Sequence, residues 1–282
     1  MVDSACDIAR DEVVAAGAAF LPLHVRMGEH DYLDGVDLTH EDFYNRLTQG
    51  KEQPTTSQIS PGFFEEAFRR SLAKGEEVVC LTVSSGLSGT CASALMARDE
   101  LPLHERGRVH IVDSENVSIG EQVLFRYAMR CLGQGMGASE LVEELNMRKQ
   151  DIRVFALLDT LEYLRYGGRC SSLAAFGANL LHLKPSIQVS GGTMDVGRKY
   201  RGTLKKCLLD YVNDKLAEPD TVDPRRIFIT DSGVDEEIWR AVEADLRARI
   251  PFENIYHTRA GCTVSGHCGP GTLGILFYRK EK

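Results

Sequence analysis

The residues best suited to act on a ligand lie in three glycine-rich turns and one hydroxyl-rich loop. Ser84-Ser85-Gly86-Leu87-Ser88-Gly89-Thr90 directly follows an apolar run and leads into a helical one. Small residues there let the backbone approach a ligand, hydroxyls donate hydrogen bonds, and a helix N-terminus adds unpaired N–H groups of partial positive charge, so an anionic group suits the turn. An ordinary N-cap needs one hydroxyl, and this turn has four around two glycines. Thr55-Thr56-Ser57-Gln58 offers more hydroxyls on a loop and, taken alone, reads as a solvated turn. Gly167-Gly168-Arg169-Cys170-Ser171-Ser172 precedes another helical run, and Arg169 would supply a fixed cation with fork geometry for a carboxylate or phosphate; in isolation a loop arginine is a surface charge. His267 sits in a glycine-dense loop, where it can hold or donate a proton near neutral pH or serve as a plain structural histidine.

Several other patterns fail on inspection. Gly269–Gly274 satisfies G-x-G-x-x-G but enters the last strand, opens no helix and has no acid about 20 residues on, so it is no dinucleotide site. No G-x-x-x-x-G-K-[ST] occurs, and ATP binding is unsupported. His257, Cys262, His267 and Cys268 match none of the paired zinc spacings, so no metal is expected. Ser71-Leu72-Ala73-Lys74 gives S-x-x-K without its companion motifs, and G-x-S-x-G is absent, which leaves a serine nucleophile little support.

The elements that must position these turns follow from length and pattern. At 282 residues the chain is expected to form about two domains. Hydrophobic residues make up 43% and charged ones 26%, enough to bury sizeable cores. The net charge of −8, with basic residues scattered, argues against a nucleic-acid partner. The start lacks a basic region before an apolar stretch, and Val13–Leu21 ends at Pro22, so neither an export signal nor a transmembrane segment is expected. The eight cysteines are spread thinly, several in apolar runs, which suggests reduced thiols and a cytoplasmic location.

Strand-like and helix-like segments alternate throughout, the pattern of an α/β protein. Glu77–Val83, a helix over Leu87–Ala97 and Arg108–Val112 make a βαβ unit. Ser60-Pro61 caps a helix with Phe64, Ala67, Phe68 and Leu72 on one face, and Thr39 with Asp42 caps another that carries Phe43 and Leu47 and stops at Gly50. A helix at Glu140–Arg148 leads to polar Lys149-Gln150-Asp151, where we place the boundary between an N-terminal domain, 1–150, and a C-terminal domain, 151–282. The second half is expected to continue in the same style, with a helix at Leu204–Leu216, a strand at Arg226–Ile229, a helix at Asp235–Arg249 and a last strand at Thr272–Tyr278.

Taken together, the order and wording of the fragments resemble the DegV family of bacterial fatty-acid-binding proteins. Val2-Asp3-Ser4-Ala5-Cys6-Asp7 is similar to the family's V-D-S-x-x-D, Thr56-Ser57-Gln58 to T-S-Q, and Ser84–Thr90 to S-S-x-L-S-G-T. Asp113-Ser114 with Ser118 and Gly120 resembles D-S-x-x-x-S-x-G, Leu161–Arg169 resembles L-x-Y-L-x-x-G-G-R, and His267–Gly271 resembles H-x-G-P-G. Only Met1 and Val2 precede the first Asp-Ser, where the family has several strand residues, so a short first strand is expected. Cys6 and Ile59-Ser60 stand where the family tends to have Ala and Pro-Ser.

The resemblance implies two α/β domains of the DegV type with the ligand site between them. It implies a carrier, itself no enzyme, that buries one long-chain fatty acid. A separate ATP-dependent fatty acid kinase would then phosphorylate the carboxylate to an acyl phosphate, a step toward phospholipid metabolism. By the same resemblance Thr56 and Ser85 would bind the carboxylate, Arg169 and His267 would support phosphoryl transfer, and no cofactor is needed. Physical chemistry agrees: a carboxylate attacks phosphorus without a general base, so the protein's task reduces to positioning and charge stabilisation. The tunnel could be lined by Leu173, Phe176, Leu180 and Leu181, or by Phe63, Phe64 and Phe68, residues equally suited to a core. Two readings stand as alternatives: a stand-alone hydrolase of acyl esters using Ser85 with His267, and a lipid reservoir or sensor with no kinase.

Overall fold

In the computed structural model, residues 1–49, 53–169 and 183–280 are described. The expected helix over Leu173–Leu181 lies outside them, as do Cys170 and Gly50. The first half contributes strands β1 (Val2–Asp3), β2 (Phe20–Leu21), β3 (His24–Met27), β4 (His30–Leu33), β5 (Thr55–Ser57), β6 (Val78–Thr82) and β7 (Val109–Asp113). Four of them form a parallel sheet in the order β2-β1-β6-β7, and the other three an antiparallel sheet in the order β4-β3-β5. Although β1 is only two residues long, it lies inside the parallel sheet, between β2 and β6.

The helices of this half are α1 (Arg10–Ala15), α2 (His40–Thr48), α3 (Pro61–Leu72), α4 (Thr90–Asp99), α5 (Leu103–Arg106), α6 (Ile119–Gly133) and α7 (Ala138–Arg148). The caps of α2 and α3 form as their residues dictate: Thr39 Oγ1 accepts from Asp42 N–H at 3.1 Å, and Ser60 Oγ accepts from Phe63 N–H at 3.3 Å with Pro61 opening the helix. Phe64, Ala67, Phe68 and Leu72 of α3 are buried over the parallel sheet. The helix expected from Leu87 begins three residues later, because Leu87 and Ser88 N–H both turn back onto Ser84 O at 3.0 Å.

The second half is built differently from the first. Strands β8 (Val154–Leu157), β9 (Leu183–Ser190), β10 (Thr193–Arg201), β11 (Val222–Ser232), β12 (Ile255–Arg259) and β13 (Thr272–Arg279) form one sheet in the order β10-β9-β8-β13-β11-β12, in which β11–β12 is the parallel pair and the other neighbours are antiparallel. The β9–β10 hairpin departs from the expected continuation of βαβ units. Its signal is the dipeptide Gly191-Gly192, where both φ values are positive, +56° and +80°, as a two-residue hairpin turn requires.

Helices α8 (Glu162–Tyr166), α9 (Leu204–Lys215), α10 (Glu236–Arg249) and α11 (Cys262–Cys268) complete the described chain. Because side chains alternate along a strand, this sheet has two apolar faces. One carries Leu157, Ile227, Ile229, Leu273 and Ile275 into a core with α9 and α10. The other turns Val154, Ala156, Ile187, Val189 and Gly274 toward the first half.

A candidate lipid site between the two halves

The second face walls a cavity whose opposite side comes from the first half: Ala5, Leu23, Val83, Leu87 and Val117. It is open to solvent at its mouth, and the empty space within and at the mouth together comes to about 920 Å³. The surface it presents is mostly apolar, which suits an acyl chain.

Polar groups converge at α11. Thr56 on β5 and His267 in the last turn of α11 meet through Oγ1 and Nε2 at 2.7 Å, and both line the cavity. Burial, and next the Arg169 guanidinium, push the imidazole down to a pKa of about 4, so His267 is neutral at physiological pH. Arg169 also lines the cavity; its Nε donates to Leu87 O at 3.0 Å and its Nη1 to Gly167 O at 2.6 Å, tying the Gly-Gly-Arg turn to the serine-rich loop.

Close packing explains two of the motif glycines. A Cβ at Gly167 would overlap the His267 imidazole, and one at Gly89 would overlap the Gln58 amide, which reaches on to Ser93 Oγ at 2.7 Å. Small residues in these loops let the backbone approach a neighbour closely. At these two positions they make room for a neighbouring side chain.

The remaining motif residues act as a frame. Asp3 accepts from Ala5 N–H at 3.0 Å and Val83 N–H at 2.7 Å, holding the exit of β6 where the serine-rich loop begins. Asp7 accepts from the Ser118 hydroxyl and from Gly261 N–H at 2.7 Å, while Asp34 accepts from Cys262 N–H at 3.2 Å and Thr263 N–H at 3.0 Å. Two buried carboxylates of the first half therefore cap α11 of the second, satisfying its unpaired N–H groups and seating His267 against Thr56. Burial raises the carboxyls of Asp3 and Asp7 to about 7.

Of the four residues singled out from the sequence, the structure brings Thr56, Arg169 and His267 together. Ser85 lies exposed on the serine-rich loop, its N–H shared between the two Asp113 carboxylate oxygens at 3.2 and 3.3 Å, and Ser88 is the serine of that loop that lines the cavity. Among the described residues no hydrogen bond joins Ser85 to His267, whose Nε2 is taken by Thr56. Phe64 and Phe68 belong to the core beneath α3, with Phe63 packed against it, rather than to the cavity. Of the lining positions missed by sequence reasoning, Ile187 and Val189 alternate with Ser186, Gln188 and Ser190, a period-two signal, whereas Val154 and Ala156 lie in the continuous apolar run Val154–Leu157, which does not show which face looks into the cavity. Among the described residues no group of three or more His, Cys, Asp or Glu is placed to hold a metal, and no helix is long and apolar enough to cross a membrane.

Comparison with known proteins agrees with this geometry. A DegV domain-containing protein of Caldanaerobacter subterraneus subsp. tengcongensis is 31% identical over 99% of this chain and 98% of its own. Among solved structures, a DegV family protein from Thermus thermophilus, described by its fatty acid binding, superposes with a TM-score of 0.85 at 30% identity, covering 99% of this chain and 98% of that one. DegV from Bacillus subtilis, described as a fatty acid binding protein, superposes at 0.82 with 27% identity and the same coverage. The model of the family described as uncharacterised protein, DegV family, matches residues 1–280, and the chain belongs to that family.

Proposed function

We propose that the protein is a fatty acid carrier: it buries the chain of one long-chain fatty acid and presents the carboxylate to a separate ATP-dependent kinase. The observation that carries this reading is a largely apolar cavity that ends at the Thr56–His267 pair and Arg169. The aliphatic wall supplies affinity by removing the chain from water. The polar end fixes position, with Thr56 inside the cavity and exposed Ser85 flanking the carboxylate. An acceptor that must be reached by a partner's nucleotide belongs at such an exposed position. Arg169 and neutral His267 then face the charge that develops as an oxygen of the carboxylate attacks phosphorus. The relatives described as fatty acid binding support the ligand class. The kinase step rests on the motif resemblance and on the lack of any phosphate-gripping sequence in this chain.

Denaturing extraction of the purified protein followed by mass spectrometry should release a long-chain fatty acid in stoichiometric amount. With a fatty acid kinase added, ATP should be consumed and acyl phosphate formed, and neither protein should do this alone. A protein that carries no lipid and takes none up would refute the carrier. Hydrolysis of acyl esters by the chain alone would replace it with an enzyme.

A further inference from the structure

Seven residues with side-chain hydroxyls line the cavity, and their partners divide them. Thr56 bonds His267, Ser88 bonds Thr90 at 2.9 Å, Ser118 donates to Asp7, and Thr272 donates to Cys268 O at 2.9 Å. Ser232 faces the Tyr44 hydroxyl, yet its Oγ has no hydrogen-bond partner among the described residues. Thr230 and Thr263 are likewise unpartnered: each is more than nine-tenths buried, and among the described residues neither hydroxyl has a hydrogen-bond partner.

Both line the cavity, and the segments that carry them are joined by a backbone hydrogen bond. Ala260 N–H donates to Asp231 O at 2.9 Å, fastening the entrance of α11 beside the end of β11, so Thr263 comes from one side and Thr230 from the other. Thr263 also precedes His267 by four residues on the same helix, just over one turn or about 6 Å along the axis from the polar end and on the same face. Valine fills nearly the same volume as threonine and would line an acyl tunnel without burying a hydroxyl. Unpartnered buried hydroxyls in a largely apolar wall are a burden to the ligand-free fold, and they become favourable when the ligand brings an oxygen to them.

Building on the carrier reading above, we propose that this part of the wall is a second polar subsite that recognises a hydroxyl on the bound chain, a few carbons from the carboxylate. The ligand class is then a hydroxylated fatty acid rather than a plain one. A hydroxyl suits the pair because it can donate to one threonine and accept from the other. A charged group is excluded, since Thr230 and Thr263 carry no charge to compensate it.

The test is a titration of the full, delipidated chain with hexadecanoate and with monohydroxyhexadecanoates bearing the oxygen at the third to the sixth carbon. At least one hydroxylated isomer should bind about fivefold to tenfold tighter than hexadecanoate, the range that one or two net hydrogen bonds supply. Thr230→Val with Thr263→Val should erase that preference, leave hexadecanoate affinity equal or higher, and melt at or above the wild-type temperature. If hexadecanoate binds and no isomer binds tighter, or if the preference survives in the double variant, the subsite is overturned and the carrier reading stands. If neither kind of acid binds, both fall.

Discussion

The two ends of the cavity are built on opposite principles. At the sheet face, Val154, Ala156, Ile187 and Val189 come from neighbouring strands of one half, and each does its work by occupying space. At α11, every important group is held by a residue far away in the chain: His267 by Thr56, and Gly261, Cys262 and Thr263 by Asp7 and Asp34. A wall tolerates exchange among aliphatic residues of similar volume. A polar end does not, because a displaced donor leaves a buried partner unsatisfied. Affinity for the chain and placement of its head group should therefore fail separately.

The largest effect should come from filling the wall. Ala156→Phe puts a ring into the space for the acyl chain, and fatty acid binding should disappear in calorimetry while the far-ultraviolet circular dichroism remains native. Retained binding would mean that the chain runs elsewhere. Next in size is Thr56→Val, which removes a donor to a buried carboxylate and should weaken binding by about 1.5–3 kcal/mol, roughly 10- to 100-fold. Ser85→Ala, at an exposed position, should cost less, about 0.5–1.5 kcal/mol. A larger loss for Ser85 than for Thr56 would move the carboxylate outward from the position proposed here.

Arg169→Gln and His267→Asn should separate holding from transfer. Each should lower kcat with the kinase more than it raises the Kd for fatty acid, since their charge and hydrogen bonding matter most in the transition state. Equal losses in both quantities would reduce the pair to ordinary binding residues.

The smallest effect is in pH dependence. Asp3 and Asp7 have carboxyls raised from 3.8 to about 7, so between these values the folded chain holds protons that the unfolded chain has released. The stability they contribute is full below about pH 4 and is lost as pH rises through about 7. His267, lowered to about 4, works in the opposite sense: the stability it contributes is present above its unfolded value of about 6.5 and lost as pH falls toward 4. Comparing variants cancels the histidine. Relative to a protein carrying both Asp3→Asn and Asp7→Asn, the wild type should lose melting temperature between about pH 4 and pH 7 and level off above that. Parallel melting curves would show that the two acids are ionised throughout.

Local signals were enough for much of this molecule. Thr39 and Ser60 specify their helix starts through their own hydroxyls, and the 3.6-residue spacing of Phe64, Ala67, Phe68 and Leu72 specifies which face is buried, because caps and faces depend on residues a few positions apart. The six motif segments likewise placed Thr56, Arg169 and His267 as candidates before any contact was known. What they could not reveal is how distant segments meet. Thr56 and His267 are 211 residues apart, and Gly261 and Asp7 are 254 apart, so no periodicity or spacing records either contact. The same holds for Ser85, whose exposure was decided by the turn of its loop against Asp113, and for Phe64 and Phe68, which the packing of α3 assigned to core rather than cavity. Residue types and short spacings determine elements and the chemistry available to them. The tertiary structure alone decided which of those groups share a cavity, because seating α11 under Asp7 and Asp34 depends on burying both halves together.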